Sequence, residues 1–106
     1  MMGKDDTNLF PLGRTIVSKN ALAVLGEAGE DPKRLFERHA AGDWGVIESK
    51  SWYLNRMAVD CGYGSIASAY AVLDDVRVVI LTQPDRRNTV MALPDEIQKL
   101  LGRLPR

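Results

Sequence analysis

The feature that most constrains this chain is a change of apolar period at Gly62-Tyr63-Gly64. Before that point apolar residues recur at helical spacing, and after it they alternate or run on as strands do. Helices first and strands afterwards, with short connections, predict an α+β fold. Consecutive strands pair as hairpins, so the N-terminal helices are expected on one face of a three- to four-stranded antiparallel meander, with a short C-terminal helix after it.

The elements follow from local signals. Residues 1–11 (MMGKDDTNLFP) carry charges, Gly and Pro without periodicity and read as a flexible arm. Residues 12–106 then form one α+β domain, since no repeat, low-complexity tract or linker divides them. Arg14-Thr15-Ile16-Val17 is β-branched, a candidate edge strand whose place in the sheet the sequence leaves open. Ser18 reads as the N-cap of a helix that stops near Gly29. Asp31-Pro32 opens a second helix, with Leu35, Phe36 and His39 as its apolar stripe and Gly42 at its end. A third helix from about Ser49 to Asp60 places Leu54, Met57, Ala58 and Cys61 at i, i+3, i+4, i+7, the spacing of a buried face. Strands are expected over 65–73, 76–82 and 89–93, with Asp74-Asp75 as the hairpin turn. Pro94 begins the last helix, with Ile97, Leu100 and Leu101 on one side.

Composition narrows the function. Fourteen Lys+Arg balance 14 Asp+Glu among 106 residues, which excludes bulk positive charge as a way of holding nucleic acid. The zero is a sum of unlike regions. Glu27, Glu30, Asp31, Glu37, Asp43 and Glu48 fall in the helical half, whereas Arg77, Arg86, Arg87, Lys99, Arg103 and Arg106 fall in the sheet half, so a local basic patch for a nucleic acid stays open. One Cys and one His make neither an internal disulfide nor a classical metal site, and no cofactor motif is present. No apolar run approaches the ~18 residues of a membrane span, and none resembles a signal peptide, so a cytoplasmic protein is expected.

Four places invite a chemical reading. His39, beside Arg38 and four residues from Asp43, has the makings of an oriented acid/base, but it also continues the Leu35/Phe36 stripe as a core residue would. In the loop Gln83-Pro84-Asp85-Arg86-Arg87-Asn88 the paired arginines could form an anion clamp, but surface Arg pairs are ordinary and a solvated turn, with Pro84 fixing φ and Asp85 capping it, is the favoured reading. Cys61, at the end of the expected apolar face, reads as a buried, inert thiol. Trp52 and Tyr53 lie partly off that face, so one of them is expected at the surface, as in a protein-binding hot spot. VRVVIL (76–81) is apolar on both sides, which leaves a homodimer open.

His39, Gly42-Asp43-Trp44-Gly45, Asn55, Ile66-Ala67-Ser68-Ala69-Tyr70, Val79-Ile80-Leu81-Thr82, Asp85-Arg86, Thr89 and Leu93-Pro94 together resemble a group of small bacterial proteins. That group is common on plasmids and integrated mobile elements, and some members are labelled type I restriction subunit M. The resemblance spans roughly residues 12–97, and Gly-Asp-Trp-Gly is its most specific string. The chain departs from the pattern at Gln83, where an acid is usual, and around Asn88. A methyltransferase is excluded by the length of 106 residues and by the lack of a strand-borne cofactor glycine motif. The resemblance supplies no activity. The neutral charge, the lack of a convergent catalytic set and the aromatics expected at the surface favour a non-enzymatic binding or accessory protein of a mobile element or defence-related locus, working through a protein surface that includes Trp52, Tyr53, Arg86 and Arg87. The expected topology is also similar to RelE-like and barnase-like ribonuclease toxins, for which His39, Tyr70, Arg77 and Arg86 would be the metal-independent set. A nucleic-acid-binding regulator is the third reading.

Overall fold

The computed structural model describes residues 8–104. The elements are β1 (Arg14–Val17), α1 (Lys19–Ala28), α2 (Pro32–Ala40), α3 (Ser49–Cys61), β2 (Ile66–Leu73), β3 (Val76–Thr82), β4 (Asn88–Ala92) and α4 (Ile97–Arg103). The α+β class and the order of elements agree with the sequence. The sheet differs: its order is β1-β4-β3-β2, and β1 joins β4 in parallel while the other two pairings are antiparallel. The meander is therefore only three-quarters of a mixed sheet.

The reason lies at both ends of β1. Arg14 N–H donates to Arg87 O at 2.8 Å and Ser18 N–H to Met91 O at 2.9 Å, which locks the strand alongside β4 in the same direction. Gly13 makes the approach possible. Its φ is +64°, and a Cβ there would collide with the carbonyl oxygens of Arg86 and Arg87.

Alternation along the strands sorts the core into two layers. Tyr70, Val78, Ile80 and Met91 lie on one face under Ala21 and Leu25 of α1 and Leu35 and Phe36 of α2. Val90 and Ala92 lie on the other face, against Ile97 of α4 with Leu100 and Leu101 beside it. Helices thus cover both faces, not one. Each of Leu25, Leu35, Ile80 and Met91 is fully or almost fully buried, a contribution of ~1.5–3 kcal/mol apiece.

Caps act where the sequence placed them. Ser18 Oγ accepts from Ala21 N–H and donates to Glu96 Oε1, while Asp31 Oδ1 accepts from Lys33 N–H. Glu96 also accepts from Leu93 N–H and Asn20 Nδ2. Because Glu96 ties the β4–α4 turn to the start of α1, α4 begins at Ile97 and not at Pro94. Of the expected N-terminal arm, residues 1–7 lie outside the described residues. Leu9 N–H donates to Ala40 O at 2.7 Å and Phe10 is buried, so residues 8–10 belong to the folded body.

The largest departure is the rotation of α3. Its buried residues are Asn55 and Ala58, whereas Leu54, Met57 and Cys61, expected inside, are exposed. α3 lies beside β2, the edge strand, and an edge needs a polar partner (Asn55 Nδ2 donates to Ala67 O at 2.7 Å and Ala67 N–H donates to Asn55 Oδ1 at 3.0 Å). One side-chain amide there replaces the backbone pairing of a missing strand.

Candidate functional site

His39 is fully buried, and both ring nitrogens are occupied. Nδ1 meets Ser68 Oγ, and Nε2 lies 2.9 Å from Thr82 Oγ1. The direction of the chain follows from its far end. Thr89 Oγ1 donates to Leu12 O at 2.6 Å, so Thr82 must donate to Thr89 across their 2.7 Å contact. Thr82 then accepts from His39 Nε2–H, and Nδ1 accepts from Ser68. Burial pushes the imidazole down to about 3, so it is neutral at pH 7. Asp43 does not orient it.

The Gly-Asp-Trp-Gly string is spent on packing. Gly42 (φ +92°) turns the chain out of α2. Asp43 pairs through both oxygens with Arg38, at 2.7 and 3.3 Å. That hydrogen bonding holds the Asp43 carboxyl below its usual range and raises Arg38. Asp43 O accepts from Tyr70 Oη at 2.7 Å, and the Arg38 guanidinium lies 4.7 Å from the centre of the Tyr70 ring. Trp44 is buried, with Nε1–H on His39 O at 3.1 Å. Gly45 (φ +73°) bridges to Ala69, and a Cβ there would strike Ala69 O. Together Gly45 and Asn55 close the outer edge of β2 at Ala69 and Ala67.

The proposed ribonuclease set is dispersed. Tyr70 shares a sheet face with Ser68 and the buried His39, and its own burial pushes the hydroxyl up to about 12, away from ready proton exchange. Arg77 stands opposite Ala71 on the other face of the sheet. Arg86 sits at the β3–β4 turn in the left-handed conformation (φ 65°). Its guanidinium donates to Gly64 O at 2.5 Å, Ala58 O at 2.9 Å and Pro84 O at 3.0 Å. Arg86 thus clamps the end of α3 to the turn, over the Phe10 ring. Arg87 is exposed and 3.5 Å from Asp85. Gln83 and Asn88 contact each other across the β3–β4 turn: Asn88 Nδ2 donates to Gln83 Oε1 at 2.7 Å. Among the described residues no three His, Cys, Asp or Glu cluster as a metal site requires, and no helix is long and apolar enough to cross a membrane.

What remains at the surface is the outer face of α3. Tyr53, Leu54 and Met57 are 66, 55 and 60% exposed, and Trp52 is 45% exposed with its ring edge-on to both Trp44 and Tyr53. Val46 and Tyr63 flank the helix ends, also exposed. A notch of about 270 Å³, lined by Ile47, Ser49, Trp52 and Tyr53, opens beside its N-terminal turn. The sequence pointed to Trp52 and Tyr53 here but placed Leu54 and Met57 inside. The signal that separates them is Asn55, with Ser51 and Ala58 on its own helical face. A second groove, about 510 Å³, runs between α2 and β1 past Thr15, Phe36 and Ala40.

Comparison with protein-family models, curated proteins and solved structures finds no match to this chain.

Proposed function

We propose that this protein is a non-enzymatic binding module that works through the outer face of α3, in the mobile-element or defence-related, cytoplasmic setting that its sequence resembles. The observation that carries the reading is the inversion of α3. A helix in a folded domain ordinarily hides its apolar stripe, and this one hides Asn55 and Ala58 while presenting Trp52, Tyr53, Leu54 and Met57 to solvent. Two aromatic rings and a Met on a rigid helix are the residue types that dominate interface energetics. Enzymatic readings gain no support from the geometry, because His39 is sealed, Arg86 is held by carbonyl oxygens and Arg77 lies across the sheet.

The test is site-specific photo-crosslinking in cells, with the photoreactive side chain at Met57 or, as control, at exposed Gln98 on α4. A discrete adduct at position 57 and none at 98 is expected. No adduct at 57, or equal adducts at both, overturns the reading.

A further inference from the structure

We propose that the α3 face is covered by the α3 of a second copy of this chain, packed antiparallel about a two-fold axis that passes beside position 55. The inference rests on the reading of α3 as the binding face and names its partner.

Three observations select this occupant. The exposed ridge opposite Asn55 consists of Lys50, Tyr53, Met57 and Asp60, spaced three and four residues apart, with Leu54 and Cys61 beside it. Reversing one copy against the other sets Tyr53 on the partner's Met57, an aromatic–thioether contact, and Lys50 on the partner's Asp60. The two-fold axis repeats both pairs. A parallel arrangement would instead face Lys50 with Lys50 and Asp60 with Asp60, so charge alone decides the direction. In the free chain Asp60 has only an exposed contact with Arg56 at 3.3 Å, which does not compete strongly.

Shape agrees with charge. Continued past the helix end, the same antiparallel register carries exposed Tyr63 towards the partner's notch between Ile47, Ser49, Trp52 and Tyr53. Ring and notch are on one chain, so the surface is complementary to itself, as a two-fold interface demands. With Trp52, Tyr53, Leu54 and Met57 45–66% exposed, two copies have roughly 1,000 Å² to hide. That area is at the lower limit for a specific interface and fits a dimer of about micromolar Kd.

Charge exchange tests the register. Lys50→Asp sits in the first turn of α3 and Asp60→Lys in the last, so each suits the helix dipole and leaves the fold intact. By sedimentation equilibrium the wild-type chain is expected to dimerise. Each single variant faces like charges at both ends and should weaken dimerisation about tenfold or more. An equimolar mixture of the two variants restores both opposite-charge pairs, so it should dimerise again as a heterodimer, counted by native mass spectrometry. Met57→Glu should give monomers with an unchanged thermal melt. Three results overturn the proposal: a wild-type chain that is monomeric throughout the micromolar range, a mixture that stays monomeric, or a Cys61–Cys61 disulfide under mild oxidation. The antiparallel register separates those thiols by roughly 18 Å along the axis at 1.5 Å per residue. A monomeric wild type together with a Met57 photo-adduct to a different protein would remove the dimer and keep the binding face. No adduct of either kind would remove both.

Discussion

Between pH 8 and 5, acidification should destabilise this protein chiefly through one residue. His39 is the single His in the chain, so between pH 8 and 5 no other side chain of ordinary pKa titrates in the unfolded state. In the folded state desolvation lowers it from the ordinary 6.5 to about 3. A depressed folded pKa means that the unfolded chain binds the proton first. Stability is therefore complete above pH 6.5 and declines as pH falls towards 3. For those two values the loss at pH 5 is about 2 kcal/mol, and a chain this size should lose roughly 10 °C in Tm. Asp43 and Glu96 are also held low by hydrogen bonds, but their share is lost only as pH falls through the carboxylate range, below this window. The assay is urea unfolding at pH 8, 6.5 and 5 on wild type and His39→Gln. The wild type should lose about 2 kcal/mol across the series, whereas the variant, less stable at pH 8, should hold a constant value. Equal pH dependence in both chains, or none in the wild type, would refute the sealed, neutral imidazole.

Three further perturbations probe the scaffold. Gly45→Ala meets Ala69 O and should cost about 3 kcal/mol or more, whereas Gly29→Ala, left-handed at φ +70° but with nothing near its Cβ, should cost about 1 kcal/mol; thermal melts of the two variants check the contrast. Asn55→Ala leaves both backbone groups of Ala67 without their partner and uncovers the β2 edge. Static light scattering should show concentration-dependent aggregation, and urea unfolding a loss of about 2 kcal/mol. Arg86→Ala removes the donor to Ala58 O and Gly64 O, so amide exchange at the end of α3 should accelerate and stability fall by about 2 kcal/mol, while Arg87→Ala should stay within about 0.5 kcal/mol.

Local grammar was legible where one residue acts on its neighbours. Ser18, Asp31-Pro32, Gly29 and Asp74-Asp75 set their caps and turn through groups a few residues away, and the structure has each of them in place. His39 as a core residue followed from its stripe with Leu35 and Phe36. Long-range choices were not legible. Nothing near Arg14–Val17 reports that its partner is β4, 74 residues later, or that the direction is parallel. The hydroxyl chain Ser68, Thr82, Thr89 is spread over three strands and becomes a chain only after the sheet forms. Arg86 looked like a free cation because its acceptors, Ala58 O and Gly64 O, are backbone atoms that no side-chain pattern reveals.

α3 shows why apolar spacing alone identifies a stripe and not its destination. The i, i+3, i+4, i+7 pattern of Leu54, Met57, Ala58 and Cys61 is present, and a helix above a sheet face would bury it. α3 instead lies along the edge of β2, where exposed N–H and C=O groups reward a polar side chain. Leaving Ala67 without Asn55 would orphan a donor and an acceptor, a cost comparable to hiding one or two of the apolar side chains left outside. The helix therefore turns its amide inward, and Ala58, with the smallest side chain of the stripe, is the one member that stays buried. The exposed Tyr53–Met57 ridge follows from that choice. Its persistence at the surface of so small a domain is what a second surface must account for, and the opposite charges at its two ends make an inverted copy of the same ridge the fitting cover.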